Sequence, residues 1–246
     1  MALVLPAFLL HWYFSLFSQT FFLHRYSAHK MFEMSKFWER FFHFLTYLSQ
    51  GSSYLNPRAY AVLHRMHHAF SDTDRDPHSP HHTKNIFTMM WKTKDIYNAL
   101  INGKKRIEER FDKNYPQWPI LDKIAESGLS RLAWGIAYVL LYVLAYFYLN
   151  MHWAFFLLLP IHFLMGPIHG AIVNWSGHKY GYQNYDNNDK SKNSLVFDFL
   201  MMGELFQNNH HKLPMNINFA SKWFEFDPTY LIIKALNRLK IIKVVK

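Results

Sequence analysis

Between Leu132 and His178 the chain carries no Asp, Glu, Lys or Arg, an uncharged tract of 47 residues. A water-soluble helix keeps one charged face, and this tract offers none. The hydrocarbon core of a bilayer takes about 20 apolar helical residues to cross. The tract supplies two such segments, Ala133–Leu149 and Trp153–Val173, joined at Asn150-Met151-His152. A second uncharged stretch at the start of the chain supplies another, Leu3–Leu23. It has neither a basic leader nor a small-residue cleavage site, so it reads as a retained span. Trp12, Tyr13, Trp134, Tyr148 and Trp153, near the ends of these segments, suit interfacial aromatic belts. Phe41–Pro57 is also free of acid and base, but Ser49-Gln50-Gly51-Ser52-Ser53 makes its middle polar. An interfacial or re-entrant helix over about 41–57 is expected there.

The rest of the composition narrows the class. The 246 residues suffice for one sizeable domain, and 50% apolar with 19% aromatic content excludes a disordered or fibrous chain. With no Cys, disulfide scaffolds, thiolate metal sites and thiol nucleophiles are excluded. The net charge of +10 is concentrated in Lys84–Arg131 and in the tail Lys234–Lys246. Basic residues flanking apolar spans are topology signals, which makes nucleic acid a poor partner and assigns both regions to the cytoplasm. Two spans separate them, an even number, so they can share a side. The expected architecture is all-α: multi-pass membrane helices topped by a cytosolic helical domain. It forms a single domain over 1–246, with spans at about 3–23, 133–149 and 153–173. The cytosolic parts are then about 24–40, 58–131 and 174–246.

Sixteen His is a high count, and four clusters fall at or beyond the ends of apolar segments. They are His24-Arg-Tyr-Ser-Ala-His29, His64-Arg-Met-His67-His68, Asn174-Trp-Ser-Gly-His178 and Gln207-Asn-Asn-His210-His211. On a helix, residues at i, i+3 and i+4 share a face about 5–6 Å apart, close enough for ring nitrogens to converge on a metal. His64, His67 and His68 fit this spacing, as do Gln207, His210 and His211, and Asn174 with His178. His24 and His29 do not, since five residues leave them ~140° apart on an ideal α-helix. That pair requires the helix to end or loosen, or each ring to face a different metal. Eight imidazoles exceed the six ligands of one octahedral ion, which suggests two metals. Imidazole suits Zn, Cu, Fe and Ni alike, so ligand type alone does not select the element. The topology puts all four clusters on one membrane face. His11, His43, His152, His162 and His169 read as core residues with satisfied rings, and His78, His81 and His82, in a Pro-punctuated loop, as solvated.

The order His-x4-His, His-x2-His-His, Asn-x3-His, Gln-x2-His-His resembles the membrane-bound fatty acid desaturases, closest to the stearoyl-CoA (Δ9) branch. Ser71-Asp-Thr-Asp-Arg-Asp-Pro-His78, Gly203-Glu204 and Trp223-Phe-Glu-Phe-Asp-Pro-Thr-Tyr230 also match. The resemblance runs from about the first box to the end of the chain. It implies that His24, His29, His64, His67, His68, His178, His210 and His211 are ligands of a di-iron centre, with Asn174 approaching one iron through water. It further implies an O₂-dependent oxidoreductase that introduces a cis double bond, Δ9-like, into an acyl chain held in a kinked tunnel. Two departures stand out. Gln207 replaces the His that begins the last box in that branch, which puts one metal ligand in question. The branch also has a helical hairpin before the first box. Here there is room for one span, which would set Met1 opposite the boxes; a truncated or alternative start accounts for this equally.

Neutral all-nitrogen ligation calls for carboxylates behind the imidazoles to orient them and temper the charge. Glu204, Asp72 and Asp76 are the candidates, with Arg25 and Arg65 as partners for those acids. Lys92, Lys94, Lys104, Lys105 and Arg106 are candidates for a phosphate-bearing head group. The implied partners are a fatty acyl substrate (acyl-CoA, acyl carrier protein or lipid-linked), the lipid bilayer and no nucleic acid. Nothing remains of the chain for a fused electron carrier, so a separate donor such as cytochrome b5, ferredoxin or rubredoxin with its reductase is expected. The expected location is the bacterial inner membrane or the endoplasmic reticulum, with the site facing the cytosol. The competing readings are a membrane di-iron lipid or alkane hydroxylase or ketolase and, in a different class, a His-rich metal transporter or an inactive metal-binding membrane protein. A transporter places ligands mid-membrane with acidic partners inside its spans, and these spans carry no acid.

Overall fold

The computed structural model describes residues 4–245, so Leu3, the first residue of the first expected span, and the sidedness of Met1 lie outside it. The described chain is mainly helical, as expected. Helix α1 (Val4–Phe17) runs directly into a π-helical segment, Ser18–Ala28, in which every residue is buried. A short strand β1 (Phe32–Met34) leads to α2 (Lys36–Gln50), a single tight turn at Gly51–Ser53, and α3 (Pro57–Phe70). Then come α4 (Ile86–Ile101), α5 (Pro119–Glu126) and α6 (Gly128–Tyr148). After a 3₁₀ segment, Trp153–Leu158, follow α7 (Leu159–Phe163), α8 (Met165–Lys179), α9 (Gln207–Lys212), α10 (Pro228–Arg238) and β2 (Ile242–Val244).

Local chemistry sets these boundaries. The Asn56 side chain accepts from the Arg58 and Ala59 amides, and Pro57 opens α3 where no backbone donor is needed. Asn85 and Thr88 form a reciprocal capping pair at the start of α4, and Ser127 caps α6. Gly51 takes a positive φ of 52°, and a Cβ there would sit 1.9 Å from the Tyr138 hydroxyl oxygen. Glycine is therefore required both by the turn and by the close approach of α6. The expected helix over 41–57 is thus replaced by the second half of α2, this turn and the first residue of α3. Along α2, Phe42, His43 and Thr46 are buried while Phe37, Phe41, Phe44 and Leu48 are exposed.

Among the described residues α6 is the one helix long and apolar enough by itself to cross a bilayer. The expected span 153–173 is not continuous: Trp153–Phe163 and Met165–Lys179 meet at 76°. Pro167 explains the break. It has no N–H for the carbonyl of Phe163, and its ring would crowd that carbonyl in a continuous helix. The Ser52 hydroxyl donates to the freed Phe163 oxygen (3.1 Å), and the Gly166 amide donates to the Ser53 hydroxyl (3.1 Å).

One apolar core ties the distant box segments together. It joins Phe21, Phe22 and Leu23, Phe32 of β1, Phe42 of α2, Phe206 and Phe219 beside α9, Ile233 of α10 and Ile242 of β2. Antiparallel pairing of β1 with β2, in register Phe32↔Val244, fastens the chain end to the segment after the first box.

Candidate metal centre

The π-helical segment resolves the spacing of the first box. A π turn bonds residue i to i+5, and the His29 amide donates to the His24 carbonyl at 3.1 Å. The two rings therefore lie on one side, with centroids 5.1 Å apart. In α3, His64 and His68 point the same way and His67 faces elsewhere. At α9, His210 and His211 diverge as neighbours on a helix must. The clusters thus sort into two sets. His24, His29, His64, His68 and His210 offer ring nitrogens within 4.8 Å of one another, and His67, His178 and His211 do the same. Contacts inside the first set are close: His24 Nε2 to His210 Nε2 is 2.9 Å, His29 Nε2 to His64 Nε2 2.7 Å, and His68 Nε2 to His210 Nε2 2.9 Å. The sets adjoin, with the His68 and His211 rings 4.5 Å apart.

Behind four of these rings stands a carboxylate. His67 Nδ1 donates to Asp76 (2.9 Å), His178 Nδ1 to Asp72 (2.9 Å), His211 Nδ1 to Asp189 (2.6 Å) and His24 Nδ1 to Glu204 (2.6 Å). In the second set each imidazole thus holds its proton on Nδ1 and turns a lone pair on Nε2 inward. Those three Nε2 atoms are buried and have no protein partner. An unpartnered buried nitrogen costs about 1–3 kcal/mol, and three converging ones backed by carboxylates could serve as the donor set of a metal ion. Titration follows the same logic. Burial drives the His29, His64, His68 and His210 rings well below the usual imidazole range, and neighbouring imidazoles add to this, which keeps them neutral. Burial lowers His211 to about 4, against the pull of Asp189. Burial opposes ionisation of Asp72, yet the His178 hydrogen bond holds it at about 2. Asp76 and Asp189 lie well below the ordinary range, because His67 and His211 outweigh their burial.

The fully buried Arg25 donates to Glu204 (3.2 Å) and Asp227 (2.8 Å) and stacks on Phe219. Arg65 differs from expectation: among the described residues it pairs with no acid. It donates instead to the carbonyls of Ser27 (2.9 Å), Ala28 (2.8 Å) and Phe111 (3.0 Å), clamping the end of the π segment, whose last carbonyls lack helical partners. Gln207 is buried and donates from Nε2 to the Glu204 carbonyl at 2.7 Å. Asn174 lies one turn before His178 on α8.

A cavity of about 700 Å³ opens beside the centre. His24, His64, Glu204, Asn174 and Gln207 line one part of it; Phe87, Trp91 and Lys94 of α4 line another, with Phe87 and Trp91 largely exposed. Of the expected head-group residues, Lys94 is on the wall. Lys92 donates to the Asp76 carbonyl (2.8 Å), and Lys104, Lys105 and Arg106 are exposed beyond the end of α4, off the wall.

Several readings of the remaining histidines need correction. His78 is buried on the cavity wall rather than solvated, and His81 is half-buried with its ring on the His178 carbonyl (2.8 Å). His82 is exposed, as expected, and contacts the Asp72 carbonyl (2.9 Å). His152 is exposed, not core, and caps the 3₁₀ segment by accepting from Ala154. His43 is buried and bonded to Tyr54, and His162 is bonded to His11 (2.6 Å) and Tyr142 (2.9 Å). His169 is fully buried, but neither ring nitrogen has a partner, so it is not a satisfied core residue. Asp189 escaped the sequence reading altogether. It is 22 residues from His211 in a polar loop, and no local spacing rule connects them.

A family model described as fatty acid desaturase matches residues 1–236. An sn-1 stearoyl-lipid 9-desaturase of Synechocystis sp. is 28% identical over 234 residues, covering 91% of this chain and 65% of the relative. An acyl-CoA 5-desaturase of Anemone leveillei is 27% identical, covering 94% of this chain and 67% of that one. A hex-5-enoyl-[acyl-carrier protein] acetylenase of Moorena producens is 25% identical, covering 96% and 74%. The chain therefore spans about two thirds of the length of the first two relatives.

Proposed function

The chain belongs to the fatty acid desaturase family, and from that premise we propose that it is an O₂-dependent fatty acyl desaturase with a two-iron centre. The observation that carries the reading is the second histidine set: three buried Nε2 atoms without protein partners, each ring held from behind by a carboxylate. On this reading His24, His29, His64, His68 and His210 would hold one iron. His67, His178 and His211 would hold the other, with Asn174 and Gln207 as further polar groups near the centre. Bound there, the irons would supply the O₂ activation that an unactivated methylene demands and no side chain provides. The overall reaction balances as –CH₂–CH₂– + O₂ + 2e⁻ + 2H⁺ → –CH=CH– + 2H₂O, so two electrons must come from an external donor. A small redox protein such as cytochrome b5, ferredoxin or rubredoxin is the proposed source.

The protein's own part is to hold and exclude. Asp72, Asp76, Asp189 and Glu204 fix ring orientation and keep the protons on Nδ1. Arg25 offsets the charge of Glu204 and Asp227. The cavity, within the size range of small-ligand sites, would take the acyl chain and set one C–C bond against the centre. The proposed product is a cis double bond at position nine, the position in the Synechocystis relative's name. Position five, in the Anemone relative's name, is the competitor that product analysis must separate.

The proposed setting is a bilayer, with one domain over 1–246. α1 together with the π segment, α6, and the bent pair ending in α8 cross or enter it, and the boxes face the cytosol. Support comes from the apolar α6 and from Lys/Arg enrichment in 84–131 and 234–246. The test is expression in a host with a compatible reductase, followed by mass-spectrometric profiling of cellular fatty acids. A new monounsaturated species is expected. Iron-loaded protein that yields none with any chain length offered would contradict the proposal.

A further inference from the structure

One imidazole beside the centre belongs to neither histidine set. We propose that His78 is a substrate-binding residue whose ring N–H holds the carbonyl oxygen of the acyl ester or thioester, fixing the depth of the chain in the cavity. This assignment rests on the desaturase reading.

His78 is 6% exposed, lines the cavity shared by His24 and His64, and has no partner on either ring nitrogen. Its place is fixed from both sides. Its amide donates to Asp76 Oδ1 (3.0 Å), the same carboxylate that holds His67, and its ring lies 4.5 Å from the His67 ring. On the other side the Thr93 hydroxyl donates to the Pro77 carbonyl (3.3 Å) and Lys92 to that of Asp76 (2.8 Å), pinning the loop to α4. The ring therefore sits between the α4 wall and the second histidine set. His78, His67 and Asp76 come close enough to resemble a metal site. The Asp76 oxygens, however, already accept from His67, the Asp72 amide and the His78 amide, so that carboxylate has no free face for an ion.

A neutral imidazole presents one N–H and one lone pair, and burying them unpaired is unfavourable. A saturated acyl chain has a single polar group, its carbonyl, whether it arrives as a thioester or as a glycerolipid ester. The N–H of His78, buried on this wall without a protein partner, is a donor that matches it. Anchored there, the chain presents the same bond each time; without the anchor it can slide by one methylene or more.

The experiment uses full-length, iron-loaded protein and its His78→Ala and His78→Asn variants. Binding of stearoyl-CoA, a stearoyl glycerolipid, methyl stearate and octadecane is read from tryptophan quenching, alongside iron content and double-bond position. In wild type the carbonyl compounds should bind more tightly than octadecane. His78→Ala should lose about tenfold of that preference, leave octadecane binding and iron content unchanged, and give products at neighbouring positions. His78→Asn, which keeps a donor, should recover part of the preference. The thioester and glycerolipid arms identify which carrier wild type favours. An unchanged carbonyl preference with a single product position in His78→Ala would overturn the assignment, and so would loss of one iron, which would make His78 a ligand. If wild type shows the carbonyl preference but forms no double bond, the desaturase reading fails and the binding role stands.

Discussion

Replacing Asp189 with Asn tests the second histidine set without touching a ligand. Asp189 accepts from His211 Nδ1 at 2.6 Å and from the Ser191 amide at 2.9 Å, and burial leaves its carboxylate strongly coupled to that imidazole. Asn keeps one acceptor but loses the anion, and its amide N–H₂ competes for the position facing Nδ1. His211 Nε2 then becomes a weaker and less well-aimed donor. Carboxylates placed behind metal-bound imidazoles are worth about 10–100-fold in affinity, or about 1.4–2.8 kcal/mol. The first set is supported separately, through His24 and Glu204, so the loss should fall on one ion of two. Titrating iron-loaded protein with a chelator and counting residual iron by mass spectrometry reads this directly. Wild type should keep two irons per chain to a chelator concentration at which Asp189→Asn keeps one. If the variant releases both irons at the wild-type midpoint, His211 is not held as described and the two-set division is wrong.

Other substitutions probe the surrounding fold. His67→Ala should abolish desaturation and cost one iron, whereas His152→Ala, at an exposed ring outside both sets, should leave product yield near wild type; equal yields would remove the site assignment. Gly177→Ala would place a Cβ 2.4 Å from Gln207 Cγ, and overpacking of this kind costs about 1–3 kcal/mol. A melting temperature within error of wild type would refute that packing. Arg65→Lys loses most of the carbonyl contacts that clamp the π segment, and a loss of about 2 kcal/mol is expected in denaturant titration. In metal-free protein, Asp72, held at about 2 by His178 against its burial, contributes stability that is complete above about pH 4 and fades as pH falls toward 2. Asp72→Asn should flatten that part of the acid-unfolding curve.

Much of the site was legible because its histidines obey helix spacing. His64 and His68 at i, i+4 and the pairing of Asn174 with His178 need only local geometry, and the His24–His29 interval required either a helix that ends or loosens or rings that face different metals. What the spacing could not give was the partition: adjacent residues on a helix diverge, so His67 and His211 leave their neighbours and meet across 144 residues. Asp189 was invisible for the same reason. His78 was misread because Pro77, Pro80 and the acids around it read as a solvated loop. Only the folded Asp76 carboxylate, collecting three N–H groups, turns that loop inward. The break at Leu164 was readable in principle, since Pro167 forbids a bond to Phe163, but the uncharged tract hid it behind an otherwise uniform span.

The most direct measurement is anomalous diffraction at the iron edge from crystals of active protein. Two peaks are expected, one at bonding distance from His24, His29, His64, His68 and His210 and the other from His67, His178 and His211. A single peak, or two peaks that share these imidazoles differently, would contradict the account.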